Sequence, residues 1–269
     1  MVMSINTNSG AMAALQNLSK TSQSLETTQL RITTGLRVNG PKDDAATFAI
    51  AQNMRGDIAG MNAVKTALSM GEATVNVAIS AGQAVSDLLT EMKAKVVQAN
   101  QAGLDTDSKD ALQNEFTSLR NQLTTIVETA EFNGKNLITS SASALSVLST
   151  VEGSTISVAA QELNTSSIGV STSELSTGAS QALEDVDTAI VTVSNALASL
   201  GSSAKRVEIQ AEFTVQLVDI LKQGVGNLVD ADLAEESAAL QSLQIKQQLG
   251  VQALSIANAG PTSILALFR

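Results

Sequence analysis

Starting at Leu183, apolar residues recur at alternating steps of three and four: Val186, Ile190, Val193, Leu197, Leu200, Ala204, Val207, Ala211, Thr214, Val218, Leu221, Val225 and Leu228, with Thr214 the one polar member. A seam kept for over six heptads is buried only if its helix packs lengthwise against others, which is the coiled-coil rule. At about 1.5 Å per residue that helix would run roughly 70 Å. Gly201, Gly224 and Gly226 are its weak points, and the last two predict a break.

Partners for this helix are visible elsewhere in the chain. A second seam runs through Val64, Leu68, Gly71, Val75, Ala78, Gly82, Val85, Leu89, Met92, Val96 and Ala99. Its small members Gly71, Ala78 and Gly82 predict close approach of another helix. A third seam holds Leu112, Phe116, Leu119, Leu123 and Ile126; between the two, Gly103 predicts a stop and Asp107 or Ser108 a cap. The three helices predict one elongated bundle.

Composition narrows the chemistry. The 269 residues include no His, Cys, Trp or Tyr and five Phe. There is no imidazole base, no thiolate, no disulfide, and neither of the usual zinc ligands. Large side chains that line ligand pockets are scarce, whereas Ala, Leu, Val and Ile suit helix on helix. A net charge of −10 offers no basic patch for nucleic acid. No apolar run reaches the ~18 residues of a membrane span, and "MVMSINTNSG" has neither basic n-region nor apolar h-region.

Both ends read as helices. Near the start, Leu15, Leu18, Ser22, Leu25, Gln29, Ile32 and Leu36 share a face. Near the end, Leu240, Leu243, Gln247, Val251 and Leu254 make one stripe, and Ile245, Leu249, Gln252 and Ile256 another. Asp230 and Asp232 are candidate caps, Glu235 and Glu236 suit a first turn, and Gly260-Pro261 predicts the stop before the tail "TSILALFR". A helix apolar on two sides must find partners in the other end of the chain or in other copies. Residues 1–40 carry a net +2 and residues 230–269 a net −2, a mild complementarity.

The middle differs. Of the 40 residues from Thr139 to Gly178, 18 are Ser or Thr, and pieces such as "STISVAA" alternate as strands do. Asn133-Gly134 predicts the turn ending the preceding helix. The segment retains too much Val, Ile and Leu for a disordered linker and predicts a small hairpin-rich tip.

The stretch "GLRVNGPKDD" imitates a phosphate loop, with four residues between Gly35 and Gly40 and Lys42 close behind. Pro41 removes a backbone donor, however, and Asp43 and Asp44 stand where a hydroxyl should bind magnesium. It reads instead as a joint: Gly35 weakens the first helix, Asn39-Gly40 turns the chain, Pro41 takes the first position of a new helix, and Asp43 and Asp44 fall in its first turn. The carboxylate pairs Asp43–Asp44 and Glu235–Glu236 lie at helix starts and do not converge as acid and base would. No catalytic, cofactor or metal residue is assigned.

Several segments together resemble bacterial flagellin: "SINTN", "LRITTGLRVNGPKDDAATFAIAQNMR", "AEFNGKNL", and "DADLAEESAALQSLQIKQQLGVQALSIAN" with its short apolar tail. The resemblance covers both ends and the rod, in a short form without large outer domains. It implies a mainly α fold, an elongated antiparallel helical bundle or coiled coil with a small β-hairpin-rich tip, whose terminal helices pair as an inner coiled coil. The implied division is 1–40 (inner helix and joint), 41–130 (rod helices), 131–178 (tip), 179–224 (long rod helix) and 225–269 (C-terminal inner helix). Inner-core packing falls to Leu15, Leu18, Leu25, Ile32, Leu36, Leu240, Leu243, Ile245, Leu249, Val251, Leu254 and Ile256. The rod seam falls to Leu68, Val75, Val85, Leu89, Phe116, Leu119, Leu183, Val186, Ile190, Leu197, Leu200, Val207, Val218 and Leu221.

The resemblance further implies a subunit of the extracellular flagellar filament, exported unfolded through a type III channel. Its implied partners are other copies and related flagellins, an export chaperone on the C-terminal region, and the filament cap and hook-junction proteins, with no nucleic acid and no membrane insertion. Many flagellins carry an LQRVREL motif read by a vertebrate innate receptor. Here the matching stretch is "LTEMKAKVVQ", where Glu91 replaces an arginine and Lys95 a leucine, while Glu115 is retained; weak receptor activation is the expectation. A hook–filament junction protein is the alternative within the same structural class, and a cytoplasmic coiled-coil adaptor the one outside it.

Overall fold

The computed structural model describes residues 7–265, without the side chains of Ser176, Thr177 and residues 260–265. Five helices account for most of it: α1 (Ser9–Thr34), α2 (Ala45–Ala99), α3 (Thr106–Thr129), α4 (Leu175–Val229) and α5 (Leu233–Leu265). Between α3 and α4 lie two antiparallel strand pairs, β1 (Glu131–Phe132) with β2 (Lys135–Asn136), and β3 (Leu145–Leu148) with β4 (Thr155–Val158). Contacts divide the chain into two units, residues 57–219 and the two ends, 1–56 with 220–269.

In the 57–219 unit the second seam is buried as a column: Val64, Leu68, Val75, Ala78, Val85, Leu89, Met92, Val96 and Ala99 are at most 2% exposed. They share one core with Leu112, Phe116, Leu123 and Val127 of α3 and with α4; Leu119 and Ile126 flank it. Asp105, not Asp107 or Ser108, is the N-cap residue of α3, and it makes no side-chain capping bond.

On α4 one of the two seam columns is shifted from its expected position over residues 182–203, while Val218 further along is buried as expected. Val186, Val193, Leu200 and Val207 are fully buried, but the second buried column is Ala182, Ala189, Ala196 and Ser203. Leu183, Ile190 and Leu197 stand one position along and are only half-buried. Small residues occupy the line of closest approach and large ones flank it, a phase that a scan for large apolar residues misplaces by one. At Gly82 of α2, an added Cβ would lie 2.8 Å from Leu197 Cδ2. Helix packing is that tight here. At Gly71 the close neighbour is not a helix but β3, whose Val147 Cγ2 would sit 2.5 Å from such a Cβ.

The Ser/Thr-rich segment is folded onto this core through Leu137, Ile138, Val147, Val158, Leu163, Ile168 and Val170, all buried. Asn133 (φ 52°) and Gly134 (φ 73°) form the left-handed turn of the β1–β2 hairpin, as Asn-Gly does in two-residue hairpins. They do not end α3, which stops at Thr129. Asn136 supplies that finish: its Nδ2 donates to Val127 O at 2.7 Å, and its Oδ1 accepts from Ile138 N and Thr139 N. α4 departs from helical geometry at Gly178 (φ −148°, ψ 45°), then continues through Gly224 and Gly226 to Val229, so the expected break there is absent. Gly224 serves a close approach instead, since a Cβ there would meet Met54 Cε at 3.0 Å.

Candidate functional site

Chemistry-bearing clusters do not mark a site. Among the described residues no group of carboxylates is placed to hold a metal ion, and no helix is long and apolar enough to cross a membrane. The distinctive surface belongs to the two ends of the chain.

α1 and α5 pack antiparallel, with Arg31 against Glu236, Leu18 against Gly250 and Asn8 against Ala257. The face α1 covers carries Ala11, Ala14, Leu18, Ser22, Leu25, Thr28 and Ile32; that of α5 carries Glu236, Ala239, Leu240, Leu243, Gln247, Gly250, Leu254 and Ala257. Much of it is small or polar, so the helices come close without a heavy apolar lock. A Cβ on Gly250 would lie 3.1 Å from Leu18 Cδ1. Arg31 Nη1 donates to Glu236 Oε1 at 2.8 Å, with the glutamate side chain 13% exposed, and the buried Arg31 Nε has no hydrogen-bond partner among the described residues.

The expected inner positions therefore separate into two groups. Leu18, Leu25, Ile32, Leu36, Leu240, Leu243 and Leu254 are half-buried. Leu15, Ile245, Leu249, Val251 and Ile256 are open, at 57%, 58%, 56%, 54% and 74% exposure. Val251 does not continue the first α5 stripe; Gly250 takes that place, because the helical period carries residue 251 around to the outer side. Met12 and Leu233 add to the open apolar area, at 67% and 51%. α5 runs on to Leu265 through Gly260-Pro261, so the predicted stop is not used. Residues 1–6 and 266–269, the start and the last half of the tail, lie outside the described residues.

The joint is built from carboxylates that cap and backbones that pair. Gly35 ends α1 in the left-handed conformation (φ 72°), its N–H donating to Arg31 O at 2.8 Å. The chain then pairs with the end of α4: Arg37 N donates to Val229 O at 2.7 Å, and Ala231 N to Gly35 O at 2.9 Å. Arg37 Nη2 reaches Leu228 O, and Val38 is buried beneath. Pro41 does not begin a helix; residues 41–43 form a turn. Asp43 lies in that turn and accepts from Asn39 N and Gly40 N. Asp44 is the cap of α2, Oδ1 accepting from Ala46 N and Thr47 N and Oδ2 from the Thr47 hydroxyl. The Thr47 hydroxyl, then its amide, hold the Asp44 carboxyl below its ordinary value of 3.8. Asp232 opens α5 the same way, its Oδ1 accepting from Ala234 N and Glu235 N, whereas Asp230 belongs to the bridge with Leu36. Sequence reading missed this strand-like pairing of residues 35–38 with 229–231, since a single bridge leaves no alternation.

With Asp43, Asp44 and Asp232 engaged by backbone amides, what remains is a helical pair with an apolar outer face. The profile of the bacterial flagellin N-terminal helical region matches residues 5–143, and that of the C-terminal helical region residues 183–268. The chain belongs to the bacterial flagellin family. It is 47% identical over 269 residues to flagellin FljK of Caulobacter vibrioides, covering 99% of this chain and 98% of that one. It is 36% identical over 281 residues to a flagellin of Brucella melitensis, covering 99% of each. A solved structure from Vibrio parahaemolyticus, described as a flagellar hook-associated protein, shares the fold at TM-score 0.58 and 15% identity, over 70% of this chain and all of that one.

Flagellins are structural proteins of the extracellular flagellar filament, not enzymes, and this flagellin is a short form. At the positions expected to stand against LQRVREL, Glu91 is exposed, and Lys95 Nζ pairs with Glu115 Oε2 at 2.5 Å. Glu91, Lys95 and Glu115 line one shallow depression with Asn114 and Ser118.

Proposed function

We propose that this flagellin assembles through the open apolar face of its terminal pair, which other copies cover in the filament. One observation carries the reading: α5 spends one stripe on α1 and leaves a second, Ile245, Leu249 and Ile256, more than half exposed. Burying a large aliphatic side chain contributes about 1.5–3 kcal/mol, and head-to-tail contacts that do not close generate an open helical polymer. Each added subunit then gains burial that the free chain lacks, so order in the termini depends on concentration. The same sticky face suits a chaperone that holds the C-terminal region before type III export of the unfolded chain, and a distal cap that shelters it at the growing end. Related flagellins with matching faces would co-assemble, and hook-junction proteins of the same fold would adjoin at the base.

The test is negative-stain electron microscopy of purified chain given a precipitating salt and short filament seeds. Wild type should give long uniform filaments. A chain ending at Asp232 should give none, and Leu249→Asp with Ile256→Asp should give none while keeping its helical circular dichroism. Filaments from the double variant at the wild-type critical concentration would remove this face from assembly. Dispersed protein under every condition would favour the junction-protein reading.

A further inference from the structure

Pro261 lies inside α5, four residues beyond Ala257. In an α-helix the N–H of residue 261 would bond the carbonyl of Ala257. Proline has no such hydrogen, so that carbonyl loses its helical partner. Asn8 takes it instead, its Nδ2 donating to Ala257 O at 2.7 Å. The other end of the same amide is also occupied: Asn8 is the N-cap of α1, and its Oδ1 accepts from Ala11 N at 3.1 Å.

A carboxamide has a donor end and an acceptor end, and here each serves a different helix. Aspartate or serine would cap α1 as well. Aspartate carries no hydrogen for Ala257, and serine falls short of it. Between the joint, where Arg31 pairs with Glu236, and this far end, the α1–α5 contact has few features that fix axial position, because beyond Leu18 on Gly250 the covered faces carry Ala11, Ala14 and Ala257, which offer little to interdigitate. A directional bond to one defined carbonyl supplies what the packing lacks. We propose that Asn8 and Pro261 act together as a register lock, the proline releasing the Ala257 carbonyl and the asparagine seizing it, so that α1 sits on α5 at one axial position. The inference rests on the terminal pair carrying assembly and adds which residues set its geometry. Asn8 is a positioning residue, acting through the helices it joins.

A double-mutant cycle tests this on the full chain: wild type, Asn8→Ser, Pro261→Ala, and both together. Serine keeps the cap and removes the reach to Ala257; alanine at 261 restores the helical N–H and makes the reach redundant. In the Pro261 background Asn8→Ser should raise the critical concentration for seeded polymerisation about fivefold, the worth of one hydrogen bond. In the Pro261→Ala background the same change should alter it by less than about twofold. Amide exchange at Ala11 should stay protected throughout, since the cap survives. Equal cost in both backgrounds, or no cost in the first, overturns the lock. So does a cost that tracks loss of protection at Ala11, which would assign the effect to capping.

A second readout needs no polymer: the rate at which a Leu18→Cys, Gly250→Cys pair oxidises within one chain. It should slow about fivefold with Asn8→Ser in the Pro261 background and little in the other. If wild type fails to form filaments, the assembly reading falls while this readout still decides the lock.

Discussion

The pairing of the chain's two ends can be fixed covalently. The Cβ of Leu18 lies 3.8 Å from where a Cβ on residue 250 would stand, at the mean Cβ separation of disulfides, about 3.8 Å. Gly250→Cys alone would crowd Leu18 Cδ1 at 3.1 Å, but Leu18→Cys removes that branch, so the two substitutions relieve each other. A slip of one residue along α5 would move the partner about 1.5 Å axially and 100° around the helix, outside bonding range. The bridge therefore reports register and not mere proximity. It would close a loop of roughly 230 residues, for which the chain-entropy account gives an upper figure of about 5 kcal/mol. With no native cysteine, no competing pair exists. Mild oxidation followed by intact mass and non-reducing electrophoresis should show a monomer two hydrogens lighter, with a raised thermal midpoint for the terminal helices. Leu15→Cys with Gly250→Cys is the control, since Leu15 is 57% exposed on the outer side. Bridging no faster than that control, or cross-linked dimers in place of bridged monomers, would refute the antiparallel pairing within one chain.

Gly71→Ala places a methyl group 2.5 Å from Val147 Cγ2; overpacking costs about 1–3 kcal/mol and helix propensity returns about 1. The urea midpoint should fall and recover with Val147→Ala; an unchanged midpoint would mean the hairpin does not press on α2. Because the folded Asp44 carboxyl titrates below its ordinary 3.8, its cap is fully present above that value and is lost as pH falls through the lower folded one. A carbon-detected titration of Asp44 checks the direction, and Asp44→Asn should keep the cap while removing its pH dependence. Purified monomer should signal weakly through the innate receptor that reads LQRVREL, because Glu91 brings the wrong charge and Lys95 is tied to Glu115. Glu91→Arg with Lys95→Leu should raise the response, and full activity in the unaltered chain would end this reading.

Periodicity made the helices of this chain legible, because long amphipathic seams leave few alternatives. Phase was harder. On α4 the scan followed Leu183, Ile190 and Leu197, whereas burial follows Ala182, Ala189 and Ala196, since alanine carries little weight in a pattern yet permits the closest contact. The same error put Val251 inside and overlooked Gly250. Local stop signals also misled where a distant partner intervened: Gly260-Pro261 reads as a terminus until Asn8 accounts for the freed carbonyl. Pro41 looked like a first helical residue because the rule does not see Asp44 and Thr47 forming a better cap three residues on. The open face of α5 was visible as a second stripe, but which stripe would remain open was not, because both are equally apolar in composition.

The backbone bonds that join residues 35–38 to 229–231 also have a topological meaning. They make everything between Val38 and Val229 a single excursion that leaves one point and returns to it. Loop closure grows only as the logarithm of length, so doubling that excursion costs about 0.6 kcal/mol. The terminal helices therefore register hardly any difference between a short centre and a long one. Sequence could be inserted into the excursion, or an entire folded module spliced there, at little thermodynamic expense to the paired ends.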